Sequence, residues 1–182
     1  MVSEKRLKKE LCDINIRSQH LLDGVGPERL GQRADPAKWS IAECLAHLNL
    51  TARVVQPAIE TSLERGKQRK ITGTGPFPPG AIGAFMTWFD EPPLKLRIRA
   101  PKMIAPRIEA GDVPQVVPEF WRLHAEWDRL LSGAAGLDLG RITAKPFPVP
   151  LSFRLAGLFA FMFAHERRHL FQAENVKKEL AA

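Results

Sequence analysis

Apolar residues return every three or four positions in four long segments of this chain, and no segment alternates with the two-residue period of a half-buried strand. That pattern restricts the fold to packed helices. The first segment runs from about Ser3 to Gly24, with Leu7, Leu11, Ile14, Ser18 and Leu21 on one stripe and Gly24 and Gly26 as terminators. The second starts sharply at Ser40: Ser40 and Glu43, in SIAE, spell a capping box, and Trp39 is placed to pack back on the first turn. Cys44, Leu48, Thr51, Val55 and Ala58 carry its stripe to about Glu64, with Pro57 as an expected kink. The third begins near Pro118 and turns Phe120, Leu123, Trp127 and Leu130 inward until Gly133. The fourth spans about Ser152 to Glu179.

Prolines interrupt every regular pattern between about residues 65 and 118, where only AIGAFMTWFD, 81–90, has the makings of a short helix. A connection of this length inside a compact domain commonly acts as a lid or binding element. A second proline-rich connector, AKPFPVP at 144–150, precedes the fourth helix. The expectation is one all-α domain over 1–182: an antiparallel four-helix bundle with a long proline-rich insertion between helices 2 and 3 at about 65–118.

Composition removes several classes of function. With 45% hydrophobic and 26% charged residues the chain is globular, not disordered. Its longest apolar run, Leu155 to Ala164, falls far short of the roughly 20 residues a bilayer requires and leads directly into HERRH, so it reads as a buried helix. The N-terminal MVSEKRLKKELCDINIRSQ lacks the apolar core of a signal peptide, and Cys12 and Cys44 form no framework of paired cysteines. A cytoplasmic protein is expected. The net charge of +7 is spread over short basic runs without a helix-turn-helix, zinc-finger or RNP pattern. It implies a basic surface that favours small anions, not a nucleic-acid reader. The bundle faces are compatible with a homodimer.

The chemistry gathers on the fourth helix, where AHERRHLFQAENV contains a literal HExxH at His165, Glu166 and His169. Histidines four apart share a helix face and can reach one metal ion, and in a metalloprotease the intervening glutamate is the general base. The metzincin continuation would need Gly at 172 and His at 175, where this chain has Gln172 and Asn175. The thirteen residues after His169 leave little room for a third ligand from a following helix. A protease reading therefore fails. Leu158, Phe161 and Met162 lie on the face of His165, His169, Gln172 and Val176, so that face points into the bundle, and two buried imidazoles there need partners. In the second helix His47, three after Cys44 and four before Thr51, lies on the interior stripe and could complete a three-nitrogen site with an open position. The alternative for His165 and His169 is a partly wet helix face with hydrogen bonds to water or carboxylates, and for His47 a hydrogen-bonded core residue.

KWSIAECLAHL at 38–48, with HERRHLFQAENV at 165–176 far downstream, resembles the DinB-like superfamily, the damage-inducible and YfiT-type four-helix bundles. The resemblance covers nearly the whole chain in helix order. It implies a divalent metal, Zn²⁺ or Ni²⁺, held by His47, His165 and His169, with Gln172 matching a glutamine that commonly follows the last histidine by three. Leu170 and Phe171 replace the Arg-Gly of the frequent family ending. It further implies a metal-dependent enzyme acting on a small-molecule substrate: a transferase or isomerase using a low-molecular-weight thiol, or a hydrolase. A non-catalytic metal-binding stress-response module is the alternative, and a nucleic-acid-associated protein a third reading. Cys44 is close enough in sequence to approach the metal but packs more naturally as a small hydrophobe. Glu166 is expected at the surface or behind the ligands, Glu43 in the cap, and His20 and His124 in structural or exposed positions, with His124 able to line the pocket. Trp88 and Phe89 could cover the site, and Arg168, Lys70 or Arg97 could meet an acidic thiol's carboxylate.

Overall fold

The computed structural model describes residues 1–93 and 104–181. Among them are six helices and one two-stranded hairpin: α1 (Glu4–Leu22), α2 (Pro27–Gly31), α3 (Ile41–Gln68), α4 (Gly80–Asp90), α5 (Val113–Gly133), β1 (Thr143–Ala144), β2 (Phe153–Arg154) and α6 (Leu155–Glu179). α1, α3, α5 and α6 are the four expected helices. None is long and apolar enough to cross a membrane.

Local signals placed the helix starts where side chains satisfy backbone donors. Ser3 accepts from the Arg6 N–H at α1, and the stripe Leu7, Leu11, Ile14, Ser18 and Leu21 is buried as the spacing predicts. At α3 both halves of the capping box form: Glu43 N–H donates to Ser40 Oγ and Ser40 N–H to the Glu43 carboxylate. Glu43 is also held by Arg33, so its charge is compensated although the side chain is buried: burial, the largest single effect, raises its carboxyl, but the Arg33 and Ser40 hydrogen bonds together bring it below the usual range. α3 runs past the expected end at Glu64 to Gln68, and Ile59 replaces Ala58 as the buried member of its stripe.

Three expectations are corrected. α5 begins at Val113, five residues before Pro118, because Pro114 already serves as the first-turn proline that needs no donor, and Pro118 lies inside the helix. α6 begins at Leu155, not Ser152, because Phe153 and Arg154 pair antiparallel with Ala144 and Thr143; the protein is therefore not purely α. Two residues per strand are too few to print an alternating pattern on the sequence. Finally, the bounds of about 65–118 are too wide: α3 continues to Gln68 and α5 starts at Val113, while α4 is the short helix expected at 81–90 and 94–103 lies outside the described residues.

α6 is the central element. From Leu155 to Ala164 every residue is buried, as expected of a helix surrounded by neighbours on all sides. α3, α1 and α4 all pack on it, and α4 does so unusually closely. A Cβ on Gly157 would stand 2.0 Å from the Pro79 carbonyl oxygen, and one on Gly83 2.6 Å from the Gly157 Cα. Both positions must be glycine for α4 to lie where it does. The end of α4 is pinned by Arg167, which makes a two-pronged ion pair with Glu91 at 2.8 and 2.7 Å and also reaches Glu10 on α1.

Candidate metal centre

His47 sits two turns beyond the Ser40 cap on α3, and His165 and His169 stand one turn apart on the facing surface of α6. The three imidazoles converge: ring centroids are 5.0 Å apart for His47 and His165, 4.4 Å for His47 and His169, and 4.6 Å for His165 and His169. One ligand nitrogen from each lies within 4.8 Å of the other two. The group is buried, with His165 only partly covered.

Hydrogen bonds from outside the triad decide which nitrogens face inward. His47 Nδ1 lies 2.6 Å from the Ile104 carbonyl oxygen, and His165 Nδ1 lies 2.7 Å from Asp90 Oδ2. A carbonyl and a carboxylate can only accept, so both Nδ1 atoms carry the hydrogen and both Nε2 atoms turn lone pairs inward. The two Nε2 atoms are 3.1 Å apart. Two bare lone pairs at that distance repel unless a cation or a shared proton lies between them. Two nitrogens bound tetrahedrally to a zinc ion at about 2.0–2.1 Å would be roughly 3.3 Å apart, so the observed spacing fits a metal. His169 Nδ1 is buried with no hydrogen-bond partner among the described residues.

Burial keeps His47 and His169 neutral. It pushes His47 down to about 4, helped by the neighbouring His165 ring, beside which a second positive charge is unfavourable, and opposed by the Ile104 carbonyl. His169 lies well below the ordinary histidine range, first through burial and then through His165 and His47, while Gln172 one turn on acts weakly the other way. Metal ligation requires this neutral form. The consequence for stability has a definite sign. Between about pH 6.5 and 4 the unfolded chain protonates His47 and the folded one does not, so metal-free protein loses stability as the pH falls through that window. Urea midpoints in chelator should be flat above pH 7 and report a loss of about 2 kcal/mol from His47 by pH 5, with His169 adding to it. An unchanged midpoint at pH 5 would show that the histidines are not buried as neutral bases.

Other residues flank the triad or stand apart from it. Trp39, just ahead of the α3 cap, packs over the triad, 5.1 Å from the His47 ring and stacked on His169 at 5.8 Å and 27°. Glu166 is not at the surface: it is buried and its Oε2 lies 3.3 Å from Nε2 of the equally buried His124, whose Nδ1 lies 2.6 Å from Asn15 Oδ1. The Glu166 carboxylate is engaged by His124 on α5, an arrangement unlike that of a zincin glutamate, which faces the water at the metal. Cys44 is fully buried and its thiol is pushed up by burial, so it belongs to the core and not to the ligand group. His20 is exposed.

Trp88 is exposed, whereas Phe89 packs under the Arg168 guanidinium, 5.7 Å from ring to carbon. Arg168 itself is buried and bonded to Asp90, and Lys70 lies beyond the far end of α3, about 35 Å along the helix from His47, so neither is presented to a substrate at the triad. Arg97 lies outside the described residues. The residue that sequence reasoning missed is Asp90. A trace was present: an acidic residue ending an otherwise apolar helix opposes the helix dipole and calls for a tertiary partner.

A helical bundle with three histidines turned to one point on two facing helices defines a protein that could hold a divalent metal ion in its core. The sequence model of the DinB superfamily matches residues 17–173, which include all three histidines, and the chain belongs to that superfamily. No curated protein and no solved structure matches the chain.

Proposed function

We propose that this protein is a metal-dependent enzyme of the DinB superfamily in which His47, His165 and His169 hold one divalent ion, Zn²⁺ or Ni²⁺. Its substrate is a small molecule, transferred or isomerised with the help of a low-molecular-weight thiol, or hydrolysed. The observation that carries this reading is the pair of outer hydrogen bonds, Ile104 to His47 and Asp90 to His165, which leave both Nε2 lone pairs facing each other at 3.1 Å. Three protein ligands leave a position open, the arrangement found in catalytic and not structural zinc sites. A bound ion supplies Lewis acidity, lowering the pKa of a water or thiol taken up in that position. The chain's own residues keep the site ready: the Ile104 carbonyl and Asp90 hold two imidazoles in one tautomer, and Trp39 shields His47 and His169 on one side. A net charge of +7 favours an acidic thiol over a neutral one.

Elemental analysis of the purified protein followed by a screen of cellular thiols against electrophiles tests this reading. One metal per chain and chelator-sensitive conjugation, isomerisation or hydrolysis are expected. A saturated site with no turnover would favour a non-catalytic metal-binding module. Absence of stoichiometric metal would remove both.

A further inference from the structure

We infer that Asp90, the last residue of α4, is the positioning residue of the metal centre: it sets the tautomer and orientation of His165 from outside the ligand group, with its own carboxylate held in place by Arg168. The inference rests on the three-histidine reading above and extends it to a residue on a different element.

Asp90 is 7% exposed and makes two contacts through its two oxygens: Oδ2 to His165 Nδ1 at 2.7 Å and Oδ1 to Arg168 Nη1 at 3.2 Å. Because each oxygen is engaged, the carboxyl plane cannot rotate without losing one of them. His165 is thereby held both in the ring angle that points Nε2 at His47 and in the tautomer that leaves Nε2 unprotonated. Arg168 stands three residues from His165 on the same helix, so α6 carries both groups that Asp90 joins. Asp90 reaches them because α4 crosses α6 at Gly83 and Gly157 and is pinned beside the site by Glu91 and Arg167. Metal affinity is in this way coupled to the docking of α4.

The conservative variant gives a distinctive result. A guanidinium only donates, so in Asp90→Asn the side-chain carbonyl turns to Arg168 and the NH₂ faces His165 Nδ1. Nδ1 must then accept, which moves the proton to Nε2, the atom needed for the metal. The near-isosteric Asp90→Asn should therefore be about as damaging as Asp90→Ala, which a role in packing alone would not produce. Each is expected to weaken Zn²⁺ binding about 10- to 100-fold, measured by competition with a chromophoric chelator. Nitrogen-15 NMR of the metal-free protein reads the tautomer directly: the wild type should carry the His165 proton on Nδ1, and Asp90→Asn on Nε2.

Wild-type zinc binding with unchanged affinity in folded Asp90→Asn would overturn the inference and leave the three-histidine reading standing. A wild-type His165 protonated at Nε2 would overturn it as well, and does not depend on any variant folding. A wild type that binds no zinc would remove the three-histidine reading and this inference together.

Discussion

His169→Ala is expected to bind Zn²⁺ about 100- to 1,000-fold more weakly than the wild type. Structural zinc sites bind with about 10–16 kcal/mol over four ligands, so one ligand accounts for roughly 2.5–4 kcal/mol, and the two remaining histidines cannot close the site. The same loss should appear in thermal stability. At a free zinc concentration about 1,000 times the wild-type Kd, binding stabilises the folded protein by about 4 kcal/mol, and a 1,000-fold weaker variant under the same conditions gains less than about 0.5. For a chain of this size each kcal/mol moves Tm by about 2–4 °C, so the zinc-induced rise of about 8–16 °C should nearly vanish. Without metal the variant still loses the packing of a buried ring against Trp39, so the informative quantity is the zinc-induced shift and not the absolute Tm. His47→Ala should lose zinc likewise. Zinc-induced melting shifts of equal size in wild type and both variants would refute the site.

The second large effect is expected far from the ligands, at Gly157→Ala. The new Cβ would lie 2.0 Å from the Pro79 carbonyl oxygen, 2.9 Å from its carbon and 3.0 Å from the Gly83 Cα, all backbone atoms that cannot yield by changing a rotamer. α4 must move off α6. Overpacking of this kind costs about 3 kcal/mol, a fall in Tm of roughly 6–12 °C. Because Asp90 ends α4 and bonds His165, zinc affinity should fall in parallel. Gly83→Ala breaks the same crossing, and the double variant should lose clearly less than the sum of the two, as changes at one contact do. A Tm within 2 °C of the wild type for Gly157→Ala would mean that the close crossing does not exist in solution.

What could be read in advance was local. The stripe of α1, the capping box of α3 and the inward residues of α5 each depend on side chains within a turn or two of one another. His165 and His169 were legible as a pair because four residues make one helical turn, and His47 because it shares a stripe with other buried residues. The hairpin was not legible, since two pairs of residues carry no period. For Glu166 the spacing left open a place at the surface or one behind the ligands, and only the packing of α5, which supplies His124, decided for the buried one. Asp90 and Trp39 were visible as residues but not as neighbours of the triad, because nothing in their own segments points to α6.

By itself the sequence determined the helical class, the family resemblance and the three histidines, because helix periodicity, capping and i,i+4 spacing are short-range properties of the chain. Only the tertiary structure decided which imidazole nitrogens face one another, because the Ile104 carbonyl and the Asp90 carboxylate that set the tautomers lie 57 residues from His47 and 75 from His165. It likewise decided that α4 belongs to the site, through two glycines in different helices whose missing side chains let two backbones touch.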